Sequence, residues 1–476
     1  MLPSRETSTV EGDPVGSRSR AAALALCAAL LAAACYPPPD TTAGPARAQD
    51  APSCRGTLVG VAHPDDDVFF LTPEIRHTIR AGCRVDTVYL TAGDDGKKNR
   101  LKAVEYVDRR EYGVRAAYAE MAEASNDWKR ADVQADGVRV RSYLLADKDR
   151  DTDVRLTFLD LHDGLPQGGS PNSLLKLFEG NRNSIEPFQG GSGSYTESEL
   201  LATVSALTRL SGAERILTMD HDNASFAFGL GGGVDHSDHG ITARYLRKVG
   251  YALGIPVSSY LGYTMSPLKP NLTAAESAEK DEVARWYIAN RKCRATGTCA
   301  NVAPFKGPLK KDWSLWIHRQ YQQTPRDPRA GELMGDIGRT TFFTSRSPEQ
   351  CLHADSGKVD IRACDGSASQ KWDLGHDKTI RLRSDRGSCL TASEGSARLT
   401  SCKPGDPDQQ WTRMPWQSTS WKRTAWQISG SGNRCLYQDD RELPAHWDAR
   451  DRQNPQLKLS ACGKQPMPEL YWRWGG

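Results

Sequence analysis

The stretch Val59-Gly60-Val61-Ala62-His63-Pro64-Asp65-Asp66-Asp67-Val68-Phe69-Phe70 passes from an apolar run into a histidine and three consecutive carboxylates. Such a run fits a strand of a parallel sheet, whose carboxyl ends open into the crevice where α/β folds carry their chemistry. His63 and Asp66 offer nitrogen and oxygen donors suited to Zn²⁺, with Asp65 between them as a candidate general base. The same residues also suit an Asp-rich turn that caps a helix. The stretch alone leaves both readings open.

Outward from it, the strand and helix grammar continues. Thr57–Ala62 and Arg84–Thr91 are expected strands, joined by a crossover helix over Leu71–Ala81. Helical spacing follows over Arg109–Ala124, an extended run over Val154–Leu161, and a helix over Leu200–Leu210. Arg215–Met219 and Val257–Tyr260 are short strands flanking a helix over Ser237–Leu253, and Ala274–Arg291 is a further helix. This alternation predicts an α/β domain over residues 53–322, Rossmann-like and three-layered, with a mostly parallel sheet. Gly-rich loops at Pro166–Pro171 and Gly229–Gly233 are connections or lids, and the loops over Gly164–Gly193 are where substrate specificity is expected.

At 476 residues the chain exceeds one ordinary core, so two domains plus tails are expected. Sixty-two basic residues against 59 acidic ones give a formal net charge of +3. No basic stripe stands out, which argues against a nucleic-acid partner. Near the N-terminus, Arg18 and Arg20 precede an apolar run, Ala21–Ala34, too short for a membrane span and of signal-peptide length. Ala46-Arg47-Ala48 is a small-x-small cleavage site, which makes residues 1–48 a signal peptide and export segment. Leu31-Ala32-Ala33-Ala34-Cys35 resembles a lipoprotein box, so anchoring through Cys35 is the alternative to free secretion. Either way the mature chain is expected outside the cytoplasm, without a transmembrane span.

Cysteine usage agrees with export. Of twelve cysteines, Cys27 and Cys35 fall in the leader, and the other ten form sequence-local pairs. The expected pairs are Cys54 with Cys83, Cys293 with Cys299, Cys351 with Cys364, Cys389 with Cys402 and Cys435 with Cys462. Cys54 and Cys83 each precede an expected strand, and neighbouring parallel strands bring such starts within disulfide reach.

Gln323–Gly338, rich in proline, glycine and mixed charge, reads as a linker. Beyond it the helical periodicity ends and an internal repeat begins. Cys351-Leu352, Cys389-Leu390 and Cys435-Leu436 open three copies, and Gln370-Lys371-Trp372 and Gln409-Gln410-Trp411 close the first two. Three β-rich repeats, each too small to bury a core, imply a closed threefold architecture over residues 339–476. These motifs resemble the ricin-type β-trefoil, with its Cys-Leu openings and Gln-x-Trp closings. The third copy departs, with Tyr471-Trp472-Arg473-Trp474 at its close. The resemblance implies carbohydrate binding, but the family's sugar-binding aspartate gives way to His353, Thr391 and Tyr437, with Asp355 and Asp439 two residues after the first and third.

A metal at His63 and Asp66 needs further donors. The first domain has one other dense histidine cluster, Asp235-His236-Ser237-Asp238-His239-Gly240, at the start of an expected helix after the strand at Arg215–Met219. Histidines three apart at a helix start share a face. His77, His162 and His221 are read as packing or surface residues. The combination resembles the PIG-L (LmbE-like) family of zinc-dependent N-deacetylases. Its motifs stand here as Ala62-His63-Pro64-Asp65-Asp66-Asp67, Thr91-Ala92-Gly93-Asp94-Asp95-Gly96 and His236-Ser237-Asp238-His239.

The resemblance implies His63, Asp66 and His239 as metal ligands, Asp65 as general base and His236 as the oxyanion-stabilising histidine. Asp238 and Asp235 are candidate partners that orient the imidazoles, with solvated helix-cap carboxylates as the alternative. Arg110 is the candidate substrate arginine; the glutamate usual three residues after it is here Gly113, and Glu111 follows Arg110 directly. The implied cofactor is Zn²⁺, although Fe²⁺, Co²⁺ or Mn²⁺ suit the same donors. The implied reaction removes an N-acetyl group from an N-acetylglucosamine-type amino sugar or glycoconjugate. A metalloamidase acting on a non-sugar amide and a lectin with an inactive α/β half are the alternatives.

Overall fold

In a computed structural model of the protein, the described residues are 56–146, 153–188, 193–221, 226–228, 234–292, 303–323, 328–335, 350–418, 423–439, 456–462 and 470–475. The expected leader with Cys35 and the loop Gly229–Gly233 lie outside them. So do three of the cysteines expected in disulfides, Cys54, Cys293 and Cys299. The expected bonds of Cys54 with Cys83 and of Cys293 with Cys299 therefore fall outside the described residues, although Cys83 itself is disulfide-bonded.

The first domain runs, in order, β1 (Gly56–Val61), α1 (Glu74–Arg80), β2 (Val85–Thr91), α2 (Arg100–Met121), β3 (Trp128–Arg130), β4 (Val133–Ala135), β5 (Val138–Leu145) and β6 (Val154–Leu161). It continues with α3 (Leu174–Phe178), α4 (Glu197–Leu210), β7 (Ala213–Met219), α5 (Ser237–Leu253), β8 (Val257–Tyr260), α6 (Ala274–Asn290) and α7 (Lys311–Trp316).

The strands form one sheet in the order β3-β5-β6-β2-β1-β7-β8, with β4 paired to β5. β6, β2, β1, β7 and β8 are mutually parallel, and β5 joins antiparallel to β6. Side chains of successive strand residues go to opposite faces. Val59, Val61, Val85 and Tyr89 therefore meet a core with residues of α1, α2 and α6, while Leu58, Val88, Leu90 and Ile216 meet one with residues of α3, α4 and α5. The result is the expected three-layer α/β architecture.

Local chemistry fixes the helix starts. Asn99 caps α2, its side chain accepting from the Lys102 amide at 3.1 Å. Thr196/Glu199 and Thr273/Glu276 form capping boxes on α4 and α6. His236 caps α5, which ends at Gly254 in the left-handed conformation. Two elements differ from the sequence expectation. α2 begins nine residues before Arg109, because its first turns expose residues such as Leu101 and carry little apolar periodicity. The antiparallel strands β3, β4 and β5 fill a region given no element; Val138–Arg141 does alternate apolar and polar residues, the pattern of a half-exposed strand.

Among the described residues the second domain is a twelve-stranded, all-β antiparallel sheet. Leu333–Gly335, inside the stretch read as linker, is one of its strands, pairing with Cys351 on one side and with Trp472–Trp474 on the other. Proline and glycine around it mask a strand that closes the sheet. The three repeats share one internal bond. The indole N–H of Trp372 donates to the Leu352 carbonyl at 2.9 Å, Trp411 to Leu390 at 2.9 Å, and Trp472 to Leu436 at 3.1 Å. Trp472 thus closes the third copy, with Leu470 where the others have Gln370 and Gln409. Disulfides Cys351–Cys364, Cys389–Cys402 and Cys435–Cys462 staple one copy each, at Cα separations of 5.0, 4.9 and 5.0 Å.

Candidate metal and catalytic site

β1 ends at Val61, and the chain turns at once into the His63–Asp67 cluster, continuing as one wide helical turn over Asp67–Leu71. β7 lies beside β1, and the segment after it brings Asp235–His239 to the same sheet edge at the start of α5. β6, two strands from β1, delivers Asp163 just beyond its own carboxyl end.

The donors meet closely. Ligand atoms of His63, Asp66 and His239 lie within 4.8 Å of one another, and all three residues are buried. Asp66 Oδ2 is 3.3 Å from His63 Nδ1 and also accepts from the His63 amide at 2.7 Å. Asp66 Oδ1 is 3.0 Å from His239 Nε2. His239 Nδ1 sits 2.7 Å from Asp235 Oδ1, so the ring's proton belongs on that side. Its Nε2 is left buried, without a hydrogen-bond partner, and facing the Asp66 carboxylate. An orphaned imidazole nitrogen against a carboxylate, with a second imidazole alongside, fits a divalent cation held by two nitrogens and one oxygen.

Electrostatics agree. Burial disfavours charge on His63 and His239, yet Asp66 with Asp163 outweighs it at His63, and Asp66 with Asp235 outweighs it at His239. The pKa of His239 is pushed up to about 9, and that of His63 well above the usual imidazole value. Asp66 is likewise buried, but His239 and His63 hold it well below the usual carboxylate range. The cluster stabilises positive charge.

Asp235 and Asp238 are both inside, fully buried. Asp238 Oδ2 is 3.3 Å from His63 Nε2 and accepts from the Gly164 amide at 2.7 Å. Gly164 is required there, since a Cβ would stand 2.4 Å from the other Asp238 oxygen. His236 behaves differently from its neighbours. Burial and the nearby His63 pull its pKa down to about 4, so it is neutral at pH 7. Its Nδ1 accepts from the Asp238 amide at 3.2 Å, which places the ring proton on Nε2.

Asp65 lies beside the ligand cluster and lines the same pocket. One carboxylate oxygen takes the Arg110 guanidinium and the other accepts from the Tyr287 hydroxyl at 2.8 Å. Arg110 also donates to the carbonyls of Gly93 at 3.1 Å and Pro64 at 3.4 Å. It lines the pocket, but its bonds hold the Asp65 loop. Glu111 points elsewhere, into a part-buried ion triad in which Arg141 binds it at 2.5 and 2.6 Å and Asp160 at 2.6 Å.

His63, Asp65, Asp66, Asp163 and His236 open onto one pocket of about 220 Å³. Its wall is aromatic: Phe69 stacks on Trp313 at 5.2 Å, and Tyr263 on Trp316 at 5.4 Å. Four contributors are missed by the sequence reading. Asp163, its Oδ2 3.6 Å from His63 Nε2 and its Oδ1 3.6 Å from His236 Nε2, is held down at about 2 by those two imidazoles despite burial. Its position two residues after a strand is the available signal. Tyr287 and the tryptophans of α7 have none, because they come from elements far along the chain. His162 makes its contact with Asp94, at 3.4 Å, and His221 with Ser259, at 2.6 Å.

Residues 58–249 match the family model for GlcNAc-PI de-N-acetylase, PIG-L. Residues 339–462 match that for the ricin-type β-trefoil lectin domain. No curated protein matches the chain. Among solved structures, the antimicrobial reagent A40926 pseudoaglycone deacetylase Dbv21 is 11% identical, with 49% of this chain and 81% of that one covered and a TM-score of 0.30. The N,N'-diacetylchitobiose deacetylase of Pyrococcus horikoshii is 14% identical, covering 49% and 70%, with a TM-score of 0.29. The earthworm R-type lectin C-half, solved with GalNAc, is 11% identical, covering 30% and 96%, with a TM-score of 0.21.

Proposed function

We propose that this chain, which joins a PIG-L domain to a ricin-type trefoil, is an exported, metal-dependent N-deacetylase of an N-acetylglucosamine-type amino sugar or glycoconjugate. The observation that carries the reading is the buried, unbonded Nε2 of His239 facing Asp66 beside His63, in a pocket that also presents Asp65 and His236. A family match over residues 58–249 points the same way.

His63, Asp66 and His239 would hold the metal, and their donor set suits Zn²⁺, with Fe²⁺, Co²⁺ and Mn²⁺ compatible. When bound, the metal supplies Lewis acidity that lowers the pKa of water and polarises the acyl carbonyl. Asp65 takes the proton of the attacking water, while Arg110 and Tyr287 keep its carboxylate in place. Neutral His236 donates its Nε2–H to the carbonyl oxygen as negative charge builds there. The C–N bond then breaks, the proton taken by Asp65 passes to the departing nitrogen, and acetate and a free amine leave. Asp235 and Asp238 hold the imidazoles in the tautomers these roles need.

The aromatic wall gives a sugar ring apolar faces to lie against. The trefoil adds a carbohydrate-directed fold, and its three disulfides suit an oxidising exterior. No helix among the described residues is long and apolar enough to cross a membrane. The test is release of acetate and amine from N-acetylglucosamine oligomers by the purified protein. Chelation should abolish release and added zinc restore it. No release with zinc present refutes the reading for that substrate class.

A further inference from the structure

A general base must be held at a fixed angle to the water it deprotonates, because misplacement of the order of 1 Å costs about a hundredfold in rate. Asp65 is anchored from two directions. Arg110 arrives from α2, within the segment matched to the de-N-acetylase family, and its guanidinium binds one carboxylate oxygen. The other oxygen accepts from Tyr287, which arrives from α6, 222 residues along the chain and outside that segment. Each carboxylate oxygen has two lone pairs, so both anchors leave Asp65 free to accept a proton. The Tyr287 side chain is fully buried, and burial, the largest influence on it, keeps the hydroxyl protonated and so a donor.

Tyr287 fits because of what α2 lacks. Gly113 lies directly under its ring: a Cβ built at 113 would stand 2.6 Å from Tyr287 Cδ2, 2.7 Å from Cε2 and 2.9 Å from the Tyr287 carbonyl. Any side chain at 113 would collide with the ring, so the glycine leaves the space in which the Tyr287 phenol reaches the base. Phe69, two residues beyond the Asp65–Asp67 cluster, closes the other side of the ring edge-on at 5.9 Å.

We propose that Tyr287 is a positioning residue for Asp65, admitted by Gly113 and fixing the carboxylate through its hydroxyl. The role rests on the deacetylase reading for its effect on rate, but its geometry is testable without a substrate. Tyr287→Phe removes the hydroxyl and keeps the ring. Release of the carboxylate from its fixed angle predicts a fall in kcat of about ten- to a hundredfold, with KM within about twofold and the melting temperature lowered by no more than one lost hydrogen bond accounts for. Gly113→Ala keeps the hydroxyl and displaces the ring, so kcat should fall in that variant too. Adding Gly113→Ala to Tyr287→Phe should then cost little more, because the bond is already gone. A crystal structure of Tyr287→Phe should show the Asp65 carboxylate turned from its wild-type orientation. An unchanged kcat in Tyr287→Phe, or a loss of kcat, KM and melting temperature together, overturns the proposal. If the wild-type enzyme cleaves no amide, the functional reading falls by itself. The Asp65 orientation in the two crystal structures then decides this one, an unmoved carboxylate overturning it.

Discussion

The pocket edge of the α/β domain and the interior of the trefoil are both built from short polar motifs that stand out in the sequence, and they use them in opposite ways. Around His63 and His239 the polar atoms face each other, carboxylate against imidazole, and His239 Nε2 meets Asp66 Oδ1 at 3.0 Å without a well-formed hydrogen bond. In the trefoil, Trp372, Trp411 and Trp472 spend their only polar atom on the Leu352, Leu390 and Leu436 carbonyls. The glutamines do the same: Gln370 donates to the Ala363 carbonyl and Gln409 to the Ser401 carbonyl, both at 2.9 Å. Thr391, directly after the Cys-Leu pair of the second copy, is bonded to Thr400 and Gln409. A motif whose polar groups close on the backbone holds a fold. One whose polar groups converge on each other is arranged as a site.

The contrast can be broken most directly at His239. His239→Ala should bring bound metal, measured by elemental analysis, close to nothing and turnover to background, while the melting profile of the trefoil stays put. Retention of stoichiometric metal would remove the unbonded nitrogen from its central place. The complementary change is Trp411→Ala. It empties a buried site and strands the Leu390 carbonyl. It should cost about 3–5 kcal/mol of trefoil stability and leave kcat/KM on a small soluble substrate unchanged. A parallel loss of activity would mean that the two domains are not separable in function.

A smaller effect sharpens the comparison from a third kind of polar group. Glu179 follows α3, half-buried, with Oε1 unbonded and burial pushing its pKa up to about 7. A carboxyl whose folded pKa is raised contributes stability below its unfolded value near 4.5, and that contribution is lost as pH rises through 7. Glu179→Gln should therefore match wild type near pH 5 and exceed it above pH 7 by roughly 1 kcal/mol, the full shift being discounted for solvent screening. Chemical denaturation at the two pH values measures the difference. Equal gains at both would place the effect in packing instead of ionisation.

Legibility follows locality. Ser237–Leu253 and Val257–Tyr260 emerge with the boundaries their periodicity predicts, because caps and apolar spacing lie within the elements themselves. Leu333–Gly335 is hidden, since its strand character comes from partners at Cys351 and Trp472–Trp474 and not from its own residues. Arg110 is visible as an arginine on a helix, but not that its bonds go to Asp65, Gly93 and Pro64. Asp163 draws no notice beside His162, although it is Asp163 that faces the two imidazoles.

By itself the sequence determined the two kinds of domain, the repeat and the two motifs that meet at one sheet edge, because strand and helix limits are set by residues close together in the chain. Only the tertiary structure decided what each polar atom in those motifs is bonded to. The site's electrostatics depend on contacts such as Asp66 to His239, Asp238 to His63 and Tyr287 to Asp65, which join residues about two hundred positions apart and leave no periodicity to read.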